Sequence, residues 1–556
     1  MRLGAAVFAV GCLAAACAPA ASTVARAGDA PRRAEATPAV PPPLSNRAVI
    51  RLTTDPEREG RVLVELRLEG LLASAPSLRF QPSHDARIDT ISARDSSGAI
   101  ELRPAAEGSA TKLGLARRAT GPLDVRYAVT FGASADAYAP FAEPIELSVG
   151  GDDVLVLPET DERFPVELAL KTGGVASGAA SSFALGSDQH ITAGASELRG
   201  AYFFAGDVGT ATFHGGDGDD FAAWIGFTAF DPRWVSAETA AVRSAVDAYV
   251  GRMAGAGAPP TSILFSATRR DDNPIIVSSR TRGLVVSVDR RAAWTPAVRI
   301  LVTQALTRRY LGGFLFVGER SDEASGTFFS EGFSRAVARE LLFDASWLLP
   351  TDRAAELNTL LATLAFGEDA RAVMTARGAL VATALDVVLR KGSEGKRSLK
   401  TFLRERLAQA ANDKTDMLPR ADFVARVRES AGEPFAREME AALRQGIDVK
   451  LPADLVGPCY RLVAKQLAPF ELGFVASSAA EMTVTSVKPG SRAEAAGVRV
   501  GDVVSELHYG QGRSGVPVNL VVVRNAKKVP LRFMPAGTSK PGRQFERIPG
   551  IPDDRC

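Results

Sequence analysis

Histidine is scarce in this sequence: its 556 residues include four, which are His84, His190, His214 and His508. No two of them stand four residues apart, so no helix face can present two imidazoles to one metal ion. The sequence also lacks a G-x-S-x-G turn for a nucleophilic serine and a Walker-type phosphate loop. These absences argue against a zincin-type zinc site, an α/β-type serine hydrolase and a nucleotide-binding enzyme.

An excess of charge of one sign is also missing. The chain has 66 Lys and Arg against 64 Asp and Glu, a formal net charge of +2, so nucleic acid is not an implied partner. Its composition is that of a globular protein, with 46% hydrophobic residues. At ~100–200 residues per domain, the length predicts three or four domains.

Residues 1–27 indicate an export signal. A short basic start is followed by an apolar run over residues 3–16, which is shorter than the ~20 residues of a membrane-spanning helix. Two endings compete: a lipobox at 13–17, with Cys17 as the lipidated residue, or cleavage at an A-x-A site at 18–20 or 25–27. We therefore expect an exported protein, either periplasmic or an outer-membrane lipoprotein attached to the membrane by its N-terminal lipid.

Two cysteines remain after this signal, Cys459 and Cys556. In an oxidising compartment they could form a disulfide that ties the end of the chain back. Two unpaired thiols are the alternative.

The sequence pattern predicts a multidomain α+β fold. A Pro- and Ala-rich tether covers 28–45, and alternating apolar residues over 46–232 predict an N-terminal β-sandwich. Helical spacing dominates 233–452, with short strands at 262–265 and 284–288. Helices are expected at 296–310, 329–343, 353–365, 380–391, 399–411, 420–431 and 433–444. Short strands and glycine turns over 453–540 predict a small last domain, followed by a tail over 541–556.

Two segments of the helical region resemble the zinc-binding helices of gluzincin peptidases. Residues 328–335, FFSEGFSR, resemble W-x-x-E-G-F-x-x-Y, and residues 299–312, RILVTQALTRRYLG, resemble H-E-x-x-H-x-W-x-G. The resemblance implies a thermolysin-like middle domain in which Glu331 stands where the third zinc ligand would be. The histidine pair and the general base would fall on Gln304, Ala305 and Arg308.

Those three residues do not supply the chemistry. Glutamine is a poor zinc ligand, alanine offers no base, and arginine places a permanent cation where the metal ion would sit. We therefore expect no metal, no cofactor and no catalytic residue, with Gln304, Ala305, Arg308 and Glu331 as degenerate positions. Glu331 is expected to pair with Arg308 as a structural substitute for the ion.

Further segments resemble the glycyl aminopeptidase family. Residues 377–390 are similar to its K-G-x-x-x-x-x-x-L-D-x-x-I-R helix, and 395–399 match its G-K-x-S-L turn. The tyrosine that would stabilise an oxyanion falls on the non-aromatic stretch 374–376, and the Gly-Gly strand motif is reduced to Arg282-Gly283. Metal, base and oxyanion stabilisation are thus lost together.

The last domain resembles a PDZ domain. Residues 470–474, FELGF, resemble the G-L-G-F carboxylate loop, and residues 485–504 are similar to the strand, Pro-Gly turn and short helix that follow it. The resemblance implies that the amides of Leu472, Gly473 and Phe474 meet a peptide or protein C-terminus that adds a strand. A domain that packs on its own chain and binds nothing is the alternative, and Glu471 adds a negative charge that opposes a carboxylate.

Taken together, these patterns indicate an exported, non-catalytic homologue of glycyl aminopeptidase-like metallopeptidases that binds peptide or protein through its PDZ domain. Two alternatives stay open at this point. One is an active aminopeptidase or other hydrolase with an unrecognised site, and the other is a structural protein of the cell envelope.

Overall fold

Strands dominate the first third of the chain, as their alternating apolar residues predict. The computed structural model describes residues 45–556 except 109, 133–139, 175–177, 216–217, 227–229, 252–260, 269–274, 290–291, 320, 478–481, 511, 513, 553–554 and 556. The predicted signal, Cys17, the tether up to residue 44 and Cys556 therefore lie outside the described residues. In the first strand Ala48, Ile50 and Leu52 are fully buried while their neighbours face outward, which is the period-two pattern of a half-buried strand.

The N-terminal region contains three sheets. Their strand orders are β14-β12-β1-β2-β8-β4-β5, β13-β15-β10-β9 and β11-β3-β7-β6. Buried aliphatic and aromatic side chains between the sheets form one hydrophobic core. The elements are β1 (Arg47–Thr54), β2 (Arg61–Glu69), β3 (Ser77–Phe80), β4 (Ala86–Asp95), β5 (Gly98–Ile100), β6 (Leu102–Glu107), β7 (Ala110–Leu115), β8 (Leu123–Phe131), β9 (Phe141–Glu143), β10 (Glu146–Gly150), α1 (Gly151–Val154), β11 (Leu157–Pro158), β12 (Arg163–Lys171), β13 (Gly178–Ser181), β14 (Asp188–Gly194), α2 (Ala195–Arg199) and β15 (Tyr202–Gly206).

A five-stranded mixed sheet, ordered β16-β17-β18-β20-β19, precedes the helices and packs against them. Strands β17, β18 and β20 are parallel, and β19 is an antiparallel edge strand. The sequence predicted β18 and β20 but not β19. The elements are β16 (Val208–Gly215), β17 (Gly218–Ile225), α3 (Pro232–Val250), β18 (Ser262–Thr268), β19 (Ile276–Arg280) and β20 (Gly283–Asp289).

The middle region is mainly helical, and one predicted boundary was wrong. The helix expected at 380–391 begins ten residues earlier, at Ala370, because the Asp369 side chain accepts hydrogen bonds from the backbone N–H groups of Arg371 and Ala372 and caps it. The elements are α4 (Pro296–Arg308), β21 (Phe316–Val317), α5 (Glu323–Gly326), a π-helical turn (Thr327–Phe333), α6 (Ser334–Asp344), α7 (Pro350–Phe366), α8 (Ala370–Gly392), α9 (Leu399–Asp413), β22 (Met417–Leu418), α10 (Arg420–Ala431) and α11 (Glu433–Gln445).

Helix α8 is the central helix of this region. Within the part of the chain that the structure describes, it is the one helix long and apolar enough to cross a membrane, but most of it is buried in the protein interior. Its apolar composition is accounted for by packing against its neighbours α7, α11 and the π-helical turn.

The C-terminal region consists of small β-sheets, one of which docks on the helices. The elements are β23 (Tyr460–Leu467), β24 (Phe474–Ala476), β25 (Val484–Val487), α12 (Arg492–Ala495), β26 (Val503–His508), β27 (Val518–Arg524), β28 (Lys527–Phe533) and β29 (Lys540–Arg547). Strand β29, within the segment predicted as a tail, pairs with β23 along its whole length. The Asn358 side chain on α7 donates to the carbonyl of Phe545 at 3.0 Å and accepts from its N–H at 2.6 Å, which fixes this ribbon to α7.

Candidate functional site

Helix α4 carries three of the four positions predicted to be degenerate. Thr295 caps it through a hydrogen bond from Val298 N, and Pro296 occupies the first helical position, where a missing N–H costs nothing. Gln304 and Arg308 stand one turn apart on the same side of the helix, as the 3.6-residue period requires. Gln304 is buried and donates from Nε2 to the backbone carbonyl of Glu331 at 3.2 Å.

Glu331 lies on the π-helical turn between α5 and α6. An added Cβ on the next residue, Gly332, would lie 2.6 Å from the Cα of Gly378, so the turn packs on α8 with no room for a side chain. Phe329 and Phe333 on the turn contact Phe423 edge to face, with ring centroids 4.7 and 5.7 Å apart. Glycine and the flanking phenylalanines therefore hold this turn in place, and π-helical turns are frequent at functional sites.

The Glu331 carboxylate is the centre of a cluster of polar contacts. Arg308 Nη2 lies 3.5 Å from Glu331 Oε1, so the expected ion pair is present. Arg371 on α8 makes the closer contact: its Nε lies 3.2 Å from Oε1, and its Nη2 also donates to Oε1. Thr375 Oγ1 donates to Oε2 at 3.1 Å. We call these four residues the Glu331 cluster.

The Glu331 cluster keeps its carboxylate ionised. Burial alone would raise the pKa of Glu331, and that is the largest single influence. The hydrogen bond from Arg371, the positive charges of Arg308 and Arg371 and the hydrogen bond from Thr375 together outweigh it, and the pKa lies below its usual value. In turn, the hydrogen bond to Glu331 raises the pKa of Arg371.

A cleft of about 680 Å³ opens beside this cluster. Its walls come from α4 and the glycines after it, from α5 and the π-helical turn, from the start of α8 and from Ser279 on the edge strand β19. Because Arg308, Arg309 and Arg371 all line it, we call it the arginine cleft. Its volume is in the range of small-molecule and peptide sites.

A solved structure shares this arrangement of sheets and helices. An aminopeptidase N family protein from Idiomarina loihiensis aligns with a TM-score of 0.63 at 14% sequence identity, over 88% of this chain and 96% of that chain. The chain has an aminopeptidase N-type fold. An M1 zinc metallopeptidase from Deinococcus radiodurans aligns at a TM-score of 0.46 and 14% identity, over 74% of this chain and 96% of that chain. No protein-family model and no curated protein matches the sequence.

Zinc is the metal that the aminopeptidase N-type fold implies, and the residues at this position do not fit it. Structural and catalytic zinc sites use at least three His, Cys, Asp or Glu ligands. Among the described residues, no group of three or more such side chains is placed to share an ion. The charge that Glu331 would offer to a dication is already bonded to two guanidinium groups. A metal ion here would have to displace Arg308 and Arg371 from Glu331 and would be repelled by their positive charges.

Two members of the Glu331 cluster were missed by sequence reasoning, namely Arg371 and Thr375. Arg371 stands forty residues from Glu331, and only the packing of α8 on the π-helical turn brings the two together. Thr375 lies in the stretch where the resemblance placed a missing tyrosine, and its hydroxyl contacts the carboxylate instead. The capping aspartate at 369 was the available signal for a helix that starts early enough to carry both residues.

The loop predicted to bind a carboxylate lies at the start of β24. Gly473 has φ +80°, and an added Cβ would lie 2.9 Å from Ser491 Cβ, so the loop requires glycine there. Leu472 is partly buried, and Phe474 is buried in the core of the C-terminal sheets. The charge of Glu471 is paired, because Lys488 Nζ lies 2.6 Å from its Oε2.

Cys459 is fully buried and forms a disulfide. Cys556 lies outside the described residues, so its pairing with Cys459 stays a prediction. The backbone N–H of Ile548 donates to the Cys459 carbonyl at 2.8 Å, which brings the end of β29 next to this cysteine.

Proposed function

We propose that this chain is a non-catalytic homologue of gluzincin aminopeptidases, with sequence motifs that resemble those of the glycyl aminopeptidase family. The observation that carries the proposal is the pairing of Glu331 with Arg308 and Arg371. Gln304 is engaged with a backbone carbonyl, and Ala305 has no group that could take a proton from water. Ligand set, base and oxyanion donor are all replaced, so no single substitution restores hydrolysis.

Metal analysis and a peptidase assay on the purified protein test this proposal together. We expect zinc far below one equivalent per chain, and no release of amino acid from Gly- or Ala-initiated peptides. The Glu331→Gln variant serves as the matched control, since a background hydrolysis would be the same in both proteins. Stoichiometric metal that is lost in Glu331→Gln, or peptide cleavage that this variant abolishes, would show that the site is catalytic.

We also propose that the C-terminal sheets form a PDZ-like module that binds a peptide C-terminus. Among the described residues, β24 pairs with β25 alone, and a strand with a free edge can accept an extended peptide as a further strand. The loop before it has a left-handed glycine, Gly473 at φ 80°, as a tight carboxylate-binding loop requires. Lys488 neutralises Glu471, which removes the main electrostatic objection to a carboxylate.

A charge reversal at the loop tests the module without disturbing its core. Lys488 is exposed, so Lys488→Glu leaves the fold intact and places two carboxylates beside the loop. We expect this variant to lose binding of a peptide with a free C-terminus, measured by fluorescence polarisation, whereas Lys527→Glu on exposed β28 keeps it. Equal binding by both variants, or equal binding of the peptide and its C-terminal amide, would remove the carboxylate loop from the proposal.

Export is the third part of the proposal, with the N-terminal signal outside the described residues. The disulfide at Cys459 supports it, because disulfides persist in oxidising compartments. Fractionation of cells expressing the wild type and Cys17→Ser distinguishes the two endings. A lipoprotein would move from the membrane fraction to the soluble fraction on substitution, and a secreted protein would be soluble in both.

A further inference from the structure

The arginine cleft is lined by a cation that forms no direct ion pair among the described residues. Arg309 follows directly on α4, lines the cleft and donates from Nη1 to Thr261 Oγ1 at 2.6 Å. No described carboxylate lies within ion-pair distance of it, but Asp247 and Asp220 act on its charge from farther away and favour the protonated form. Burial lowers the pKa of Arg309 by disfavouring its charge, yet a guanidinium remains protonated in proteins. An anion brought next to it would offset that cost of burial.

A buried hydroxyl in the same wall also lacks a partner. Ser330 lines the cleft, is 8% exposed, and its Oγ has no hydrogen-bond partner among the described residues. A buried polar atom left in this state is destabilising, by an amount that a ligand group can recover. Arg309, which has no direct ion pair, and Ser330, whose Oγ has no hydrogen-bond partner, are therefore two independent donors for an acceptor on a ligand.

The charge balance of the cleft favours an anionic ligand. Three arginines line it together with two carboxylates, Glu331 and Glu323. Glu331 is engaged by Arg308 and Arg371 and offers no free charge. Glu323 opposes an anion, but it is exposed at the rim, where solvent screens it. The cleft is thus positive in its interior, the reverse of what a metal-binding cleft requires.

We infer that the arginine cleft binds an acidic side chain of a peptide, with Arg309 as the principal cation and Ser330 as a second donor. This rests on the proposed function, because it assigns peptide binding to a cleft without metal chemistry. Guanidinium groups bind carboxylates through paired, charge-assisted hydrogen bonds. The cleft volume accommodates a few residues of such a peptide.

A dipeptide with a blocked C-terminus separates this cleft from the PDZ-like module. The probe is acetyl-Glu-Glu-amide, which has no terminal carboxylate for the loop before β24, and its neutral counterpart is acetyl-Gln-Gln-amide. Calorimetric titration of the full chain should show binding of the first and at least tenfold weaker binding of the second. Inorganic phosphate is titrated in parallel as a different oxyanion.

Two pairs of variants assign the binding to named residues. Arg309→Gln should weaken binding of acetyl-Glu-Glu-amide about tenfold or more, whereas Arg404→Gln should not, since Arg404 likewise bonds only to neutral oxygens and lies outside the cleft. Ser330→Ala removes no hydrogen bond and should fold normally but bind more weakly. Its control is Ser334→Ala, which also removes a buried hydroxyl without a partner but does not line the cleft.

Each remaining outcome overturns the inference. Equal binding of the acidic and neutral dipeptides, absence of binding, binding of phosphate alone, or unchanged affinity in both Arg309→Gln and Ser330→Ala would each do so. None of these results bears on metal binding or hydrolysis, so the proposal of a non-catalytic homologue is tested separately by metal analysis and the peptidase assay. Binding of peptides with free C-termini at the PDZ-like module is likewise independent of this probe.

Discussion

Replacing Glu331 by glutamine leaves two guanidinium groups facing a neutral amide. Glutamine keeps the size of the side chain and one carbonyl oxygen, so the π-helical turn and its phenylalanines need not move. Arg308 and Arg371 lose their common carboxylate, and Thr375 loses an ionised acceptor. The substitution therefore measures the electrostatic part of the Glu331 cluster.

The magnitude follows from the exposure of the three side chains. Glu331 is 12% exposed, whereas Arg308 is 38% and Arg371 56% exposed. Breaking a fully buried ion pair costs about 3–5 kcal/mol, and breaking a surface pair costs about 0–1 kcal/mol. Both arginines can turn toward water when the carboxylate is lost, so we expect a decrease of about 1–3 kcal/mol in the free energy of unfolding.

The contribution of Glu331 to the free energy of unfolding should also depend on pH, in a direction that its pKa determines. The pKa of Glu331 is lowered in the folded state, so the unfolded chain binds its proton more tightly. Its contribution to stability is therefore complete above the ordinary pKa of 4.5 and is lost as the pH falls through the lower folded value. The stability difference between the wild type and Glu331→Gln should be constant near neutral pH and shrink below about pH 4.5.

Urea denaturation followed by tryptophan fluorescence, repeated across this pH range, tests both expectations. Glu323→Gln is the matched control, because Glu323 lines the same cleft, is exposed and should change the urea midpoint little. Equal midpoints for the wild type and Glu331→Gln at neutral pH would refute the reasoning. So would a difference that widens on acidification, or a destabilisation of the wild type by EDTA that Glu331→Gln does not show.

Three further predictions concern the C-terminal region. Asn358→Ala removes both hydrogen bonds to the Phe545 backbone and should lower the free energy of unfolding by about 2–3 kcal/mol. Hydrogen exchange in β29 should become faster, and unchanged exchange there would contradict the docking of this strand on α7. Reduction of the Cys459 disulfide should lower stability by about 2–4 kcal/mol, read from the urea midpoint with and without dithiothreitol, while peptide mapping identifies the partner cysteine. Gly473→Ala forces a side chain into a left-handed position against Ser491 and should destabilise the C-terminal sheets by about 1–3 kcal/mol, seen as earlier proteolysis within residues 468–539 and not in the helices.

The sequence was sufficient wherever the relevant residues share one element. Gln304, Ala305 and Arg308 follow one helical period, so their replacement of a metal-binding pair could be recognised from the order of residues alone. The contact between Arg308 and Glu331 could also be anticipated, because the resemblance placed their two helices side by side.

Contacts that depend on distant packing were not accessible in the same way. Arg371 was missed because the start of its helix was placed ten residues too late. The π-helical turn was missed because its backbone pattern leaves no periodic trace in the apolar residues. Strand β19 was missed because it spans five residues, Ile276–Arg280, of which only the first two are apolar.

The pairing of Leu467 with Lys540 at one end of the β23–β29 ribbon makes residues 468–539 an internal insertion with adjacent entry and exit points. Truncating the chain at residue 540 would strip β23 of its partner and uncover α7. Excising 468–539 and joining the two strands with a tight hairpin turn would instead leave the ribbon whole. To study the remainder of the chain by itself, residues 468–539 should therefore be deleted internally, and the C-terminus should be kept.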